Sequence, residues 1–208
     1  MNNGLYQVNL IGYNPSVSTT ASTIWSGGAT SYVQLTSGVA MEAVSSSAND
    51  TSAGTGARTI KVEGLDGNYV PFTETIILNG ATPVPLVNTS AIAINKVTVL
   101  TVGSGLVNAG NVDVRVVSGS VVKCRIQALA ESRGESADFV YTVGANRQGL
   151  LRRLRTYAFT NTGSISVVVQ TQSSAGIIQV KAVGQKSLQV AGFNDGYIEL
   201  EFGSGLID

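Results

Sequence analysis

Within the stretch from residue 54 to residue 80, apolar and polar side chains alternate with period two across residues 58–63. Ile60 and Val62 fall on one side, Thr59, Lys61 and Glu63 on the other. This is the pattern of a strand with one buried face. Residues 64–68 (GLDGN) follow, and Asp66 with Gly67 is a strong turn dipeptide. A second run, residues 74–78 (ETIIL), stops at Asn79 and Gly80, which both tolerate positive φ. The stretch therefore predicts a hairpin. Similar turn-bounded runs predict strands at 5–11, 32–35, 39–44, 112–117, 121–128, 139–143, 165–170, 177–183 and 197–202. Residues 91–102 (AIAINKVTVLTV) change their buried side near Lys96, which predicts a bulge or a strand buried on both faces. Residues 150–159 (LLRRLRTYAF) suit a short helix or a strand equally.

Residues 45–56 (SSSANDTSAGTG) are small and polar, and predict an exposed loop. Residues 131–138 (ESRGESAD) predict a charged one. The segment 82–86 holds two of the four prolines and reads as an edge or linker. Many short strands between turns indicate an all-β fold, a sandwich or jelly-roll-like architecture in one or two packed domains, with little helix. The Gly-rich turn at 103–110 is the expected boundary. It gives an N-terminal strand and arm at 1–22, a β domain at 23–110 and another at 111–208. The halves share a strand-rich style with no alignable repeat.

Composition sharpens this picture. Only 12% of the 208 residues are charged, about half the usual share, so the polar surface comes from Ser, Thr, Asn, Gln and Gly. That suits exposed sheet, and a surface covered by neighbouring subunits. Thirteen basic and thirteen acidic residues cancel, which gives no global argument for nucleic acid or an anionic membrane. The first residues lack the basic and then apolar order of a signal peptide, and no apolar run approaches a membrane span. The expected product stays in the cytoplasm that makes it or leaves within something larger.

Candidate chemistry is sparse. The chain has no His and one Cys, Cys124, read as a half-buried sheet residue without the base a nucleophile needs. Zinc or copper binding is not expected. Asp50 opens an Asp-Thr-Ser tripeptide with no second copy to share a proton, so an aspartic-protease pair is not expected either. The glycine pairs at 54/56 and 103/105 precede no helix and read as turns, not phosphate cradles. Asp66, Asn68, Asn194 and Asp195 carry turn chemistry without the spacing of a calcium loop. The N-glycosylation patterns at Asn49 and Asn88 carry meaning only in a secreted protein. Neither catalytic residues nor a cofactor is expected. Arg147, Arg152, Arg153 and Arg155 form the one concentration of charge, which reads as a protein docking patch or a solvated strand edge. Trp25, Tyr32 and Phe72 stand near turns, as core residues or interface anchors.

Several segments together resemble structural proteins of tailed-bacteriophage virions. They are residues 23–28 (TIWSGG), 53–60 with 64–66, 74–80 (ETIILNG), 82–84, 94–99 (INKVTV), 103–105, 108–110 and 141–143 with 149–154. They cover most of residues 23 to 160. In that group the last segment usually continues Tyr-Thr-Val-Pro-Ala-Gly-Lys, whereas here Gly144, Ala145, Asn146 and Arg147 replace the proline turn. The resemblance implies a non-enzymatic virion component of the capsid decoration or cement type. Such a protein binds the major capsid protein on the outer capsid surface, self-associates as a homotrimer, and contacts neither nucleic acid nor membrane. The arm at 1–22, with anchors Leu5, Tyr6 and Ile11, is the expected clamp, and Trp25 with the four arginines completes the expected contact set. A tail, neck or fibre-base component is the alternative. A carbohydrate-binding sandwich using Tyr69, Tyr157 and Tyr197 is a second.

Overall fold

The computed structural model describes residues 7–14, 23–27, 32–117, 119, 121–128, 134–147 and 149, and the backbone of four later strands. Two compact units divide the chain, Met1–Ala145 and Asn146–Asp208. The first contains β1 (Met41–Ser45), β2 (Ala57–Asp66), β3 (Pro71–Ile77), β4 (Val84–Pro85), β5 (Ala91–Val102), β6 (Val112–Val116) and β7 (Val122–Ile126). The second contains β8 (Arg153–Phe159), β9 (Gly163–Gln172), β10 (Ile178–Leu188) and β11 (Asp195–Glu201). No helix occurs among the described residues, and the fold is all-β.

The first unit is a two-sheet sandwich. One sheet has the order β4-β1-β6-β7, the other β3-β2-β5, and every pairing is antiparallel. Met41, Ala43, Val112, Val114, Cys124 and Ile126 from the first sheet share a core with Ala57, Ile60, Val62, Ile76, Ile94 and Val97 from the second. Period-two alternation supplies this layer, and each fully buried Ile or Val contributes about 1.5–3 kcal/mol relative to exposure. The 103–110 turn lies within this unit, because β1 and β6 on either side of it pair from Met41↔Val116 to Ser45↔Val112.

β5 shows why its buried side changes. The register with β2 passes from Glu63↔Lys96 to Gly64↔Ile94, so Asn95 is a bulge. Ala91 to Ile94 are buried on both faces, with Ile92 and Ala93 meeting Leu65 in a second, small cluster. Gly64 is required beside the bulge: a Cβ there would meet the Ala93 carbonyl at 2.5 Å and the Phe72 ring at 2.9 Å.

Three expected elements come out differently. Residues 139–143 are not a strand. Phe139 has φ 51°, and the Thr142 backbone pairs with the Asn95 side chain, N–H to Oδ1 at 2.8 Å and C=O to Nδ2 at 2.9 Å. A bulge side chain thus takes the place of a strand partner. Residues 32–35 are likewise irregular, and 7–14 makes only a bridge, Gly12↔Asp138. The ambiguous 150s contain strand β8.

In the second unit β8 pairs with β11 and β9 with β10, all antiparallel, with a bulge between Val180 and Ala182.

Candidate functional site

Two networks of polar side chains stand out among the described residues of the first unit. The first centres on Asp50. Expected on an exposed loop, it is fully buried. Its Oδ1 accepts the amides of Ala57 at 2.7 Å and Ala109 at 2.8 Å. Its Oδ2 accepts the Gly110 amide at 2.9 Å and the Ser45 hydroxyl at 2.5 Å. Its own carbonyl accepts the Gly80 amide at 2.8 Å. One carboxylate therefore ties the 45–56 loop to the start of β2 and to the 108–110 turn. Gly56 is glycine because a Cβ would collide with Asp50 Oδ1. Asn108, also buried, closes the same turn by donating to the carbonyls of Gly110 and Gln127. Such a knot is structural, since every acceptor lobe points at the chain's own donors.

The second is a clasp on β7. Arg125 donates Nε and Nη2 to the two oxygens of Asp113, at 2.6 and 2.7 Å, and Nη1 to the Ser26 carbonyl at 2.8 Å. Asp113 and Arg125 are direct cross-strand partners. Asp138 accepts the Ser26 hydroxyl at 2.5 Å and the Arg125 amide at 2.8 Å. Segment 23–27 is thereby strapped over β7. Trp25 is buried, edge-on to Tyr32 at 5.0 Å between centroids. Lys123 lies over the Tyr32 ring at 5.2 Å and donates to the Val33 carbonyl at 2.7 Å. Burial pushes the Cys124 thiol up, away from the reactive thiolate, and the nearby Asp138 adds to the effect. Burial also pushes the Lys123 ammonium down.

Burial lifts the Asp138 carboxyl above the ordinary carboxylate range, against the opposing pull of its hydrogen bonds from Ser26 and Arg125. Its folded value is then higher than its unfolded one. The stability it contributes is full below the unfolded value, about 3.9, and is lost as pH rises through the folded value. Asp138→Asn does not titrate. The gap in urea midpoint between wild type and this variant is expected to move in favour of the variant as pH rises from about 3.5. A gap that stays constant between pH 3.5 and 7 would show that Asp138 does not titrate with folding.

Among the described residues of this unit are two depressions. One, of about 170 Å³, lies between segment 9–11, β5, β7 and residues 135–140, with Lys96, Cys124 and Ser136 in its wall. It is smaller than the usual small-molecule pocket of roughly 300–1,000 Å³. The other, of about 250 Å³, is lined by Val99, Leu100, Val102, Leu106, Val107, Asn108 and Gly134. Leu106, at φ 64°, is 77% exposed at its rim. Among the described residues no group of acidic, His or Cys side chains is placed to hold a metal ion. Asp66 uses its carboxylate on the turn, accepting the amides of Asn68 and Val70.

The expected contact residues fall partly outside the described residues and in both units. Leu5, Tyr6 and Arg152 lie outside the described residues. Ile11 is exposed on segment 7–14, Trp25 is buried in the clasp, and Arg147 is exposed at the start of the second unit. On β8 the register sets Arg153 opposite Glu201 and Arg155 opposite Glu199. Two of the four arginines therefore stand across from acidic positions within their own sheet, where opposite charges stabilise a strand pair. The same register sets Tyr157 opposite Tyr197. No family model, curated protein or solved structure matches the chain.

Proposed function

We propose that this chain is a non-enzymatic structural component of a tailed-phage virion, a head decoration or cement protein. Made in the host cytoplasm, it binds the outer capsid lattice beside other copies of itself. The sequence resemblance supports this reading, and one observation carries it to a surface. Segment 7–14 rests on residues 137–139 through two backbone bonds, Tyr13 N–H to Ala137 C=O and Phe139 N–H to Ile11 C=O. It leaves Val8, Ile11 and Tyr13 38–48% exposed. A lightly held segment with apolar side chains outward suits capture by a neighbouring subunit. The major capsid protein is the partner proposed. Binding only the assembled lattice stabilises it by mass action, and many copies in symmetric contact add avidity.

Among the described residues of this arm, 7–14, none belongs to either core cluster. Deleting residues 1–22 is expected to leave Trp25 fluorescence and the melting transition near wild type. Binding to undecorated heads falls by about 100-fold or more, given anchor losses of about 1–2 kcal/mol each. A truncated protein that still decorated heads normally would remove the arm from the reading. Imaging of virions separates head from tail, neck or fibre base: copies spread over the lattice support a decoration protein, and a single ring supports the alternative.

A carbohydrate-binding role is the second reading, favoured by the Tyr157↔Tyr197 pair with Arg155↔Glu199 two positions on. Paired aromatics beside charged hydrogen-bonding groups suit a sugar face. Binding on a broad glycan panel, lost when both tyrosines become Ala, is its signature.

A further inference from the structure

The sandwich has four sheet edges, and three are closed. The outer edge of β5 is occupied by residues 134–136, with Val99 N–H to Gly134 C=O at 2.6 Å and Ser136 N–H to Val97 C=O at 2.9 Å. On β7, the Arg125 amide is taken by the Asp138 carboxylate. The edge strand β4 is two residues long, and Pro85 within it has no N–H to offer. The fourth edge is β3, seven residues long, and among the described strands it pairs only with β2.

The hydrogen-bond phase of β3 follows from the bonds that bracket it, Asp66 N–H to Val70 C=O and Leu78 N–H to Arg58 C=O. Alternation then turns the backbone groups of Phe72, Glu74 and Ile76 toward β2, opposite Gly64, Val62 and Ile60. Those of Thr73, Thr75 and Ile77 turn outward. All three side chains are exposed, Ile77 by 59%. Natural edges are guarded by charge, by bulges or by a covering segment. The only charge on β3, Glu74, accepts the amides of Val87 and Asn88 at 2.8 and 2.6 Å. No charged side chain stands at an outward position.

We propose that β3 is a docking edge for a second copy of this chain, joined antiparallel about a two-fold axis through Thr75. Among the described residues this is the one long open edge of the unit, so an edge contact between copies is isologous: β3 meets β3. Thr75 then faces Thr75 of the second copy, and Thr73 faces Ile77. This register engages each outward N–H and keeps Pro71, which has none, outside the pairing. Thr–Thr and Thr–Ile pairs are favourable across strands. Lys61 and Glu63 stand one strand back, opposite Thr75 and Thr73 within each copy, so no like charges meet at the seam. Two three-stranded sheets become one continuous sheet. The contact is smaller than a standard interface, so it is reversible and dominates only where copies are concentrated. It does not depend on the virion reading, since it needs only the chain itself.

The test uses the full chain and its mass as a function of concentration, by sedimentation. Wild type is expected to shift from monomer to dimer. The pair Thr73→Lys with Ile77→Lys sets like charges directly opposite each other at the seam, while Lys at 73 faces Glu63 within the copy. Its dissociation constant should rise by about tenfold or more. Thr73→Lys with Ile77→Glu sets opposite charges there and should hold the dimer at wild-type strength or better. Thr75→Pro removes an outward N–H and no bond to β2, so it should also give monomer, and it serves if a charged variant misfolds. The proposal is overturned by a wild-type monomer at every concentration. It is overturned equally by the two charge variants behaving alike, or by an oligomer insensitive to them. Amides of Thr73, Thr75 and Ile77 protected from hydrogen exchange in a monomer would show that the chain covers the edge itself, which also overturns it.

Discussion

Asp50→Ala is expected to destabilise the first unit by about 4 kcal/mol or more, a large part of the roughly 5–15 kcal/mol that holds a typical domain. Three amides, of Ala57, Ala109 and Gly110, and the Ser45 hydroxyl lose their acceptor together. The site is fully buried, so these donors do not simply return to water. Asp50→Asn separates charge from shape. Its oxygen still serves Ala57 and Ala109, but its amide nitrogen meets the Gly110 N–H donor to donor, and the Ser45 hydroxyl must turn to accept. The loss should be about half, roughly 2 kcal/mol. Urea unfolding followed by Trp25, the single tryptophan and a residue of this unit, measures both. Asp50→Ala within about 1 kcal/mol of wild type would mean that water replaces the carboxylate, and the knot would lose its importance.

Arg125→Ala should cost about 2–3 kcal/mol and expose Trp25 as well. The guanidinium holds Asp113 with two parallel bonds and reaches the Ser26 carbonyl with a third nitrogen. The pair is largely shielded, with side chains 22% and 16% exposed, so removing one partner leaves a carboxylate short of both charge and donors. Arg125→Lys should recover only part of this, because one ammonium does not reproduce the planar fork. Asp113→Ala combined with Arg125→Ala should cost less than the sum of the two single changes, and that difference is the coupling. A red shift of Trp25 emission in Arg125→Ala, before global unfolding, reports release of the 23–27 strap. An unchanged spectrum would mean that Asp138 alone holds the strap through Ser26.

Legibility in the sequence followed the range of the interaction. Ile60 and Val62 against Thr59, Lys61 and Glu63 is a property of neighbours, and it correctly sorted β2 into a buried and a half-buried face. The disturbance at Lys96 was equally visible as a slip in alternation, and it is the Asn95 bulge. Residues 139–143 carried the same strand composition and are irregular, because Phe139 has positive φ and Thr142 bonds a side chain on β5. Asp50 was least legible. Its surroundings of Ser, Ala, Asn, Thr and Gly have the composition of exposed loop, and nothing local says that amides 59 and 60 residues away converge on it. Gly56 was a trace of it, but glycine is as common in plain turns. Arg153 and Arg155 read as a charge cluster until the β8–β11 register set Glu201 and Glu199 opposite them.

By itself the sequence determined the all-β class, most strand positions in the first unit, the two faces of the strand through Ile60 and Val62, and a neutral composition poor in charge. Each is carried by residues one or two positions apart, where pleat geometry converts order along the chain into sides of a sheet. Tertiary structure alone decided which strands became neighbours, that the 103–110 turn lies inside one sandwich, that a loop carboxylate became its knot, and that β3 was left as an edge with no second partner among the described strands. Those outcomes depend on contacts tens of residues apart. A buried carboxylate is stable only where donors from several segments meet, and an edge is open only when nothing else in the fold has paired with it.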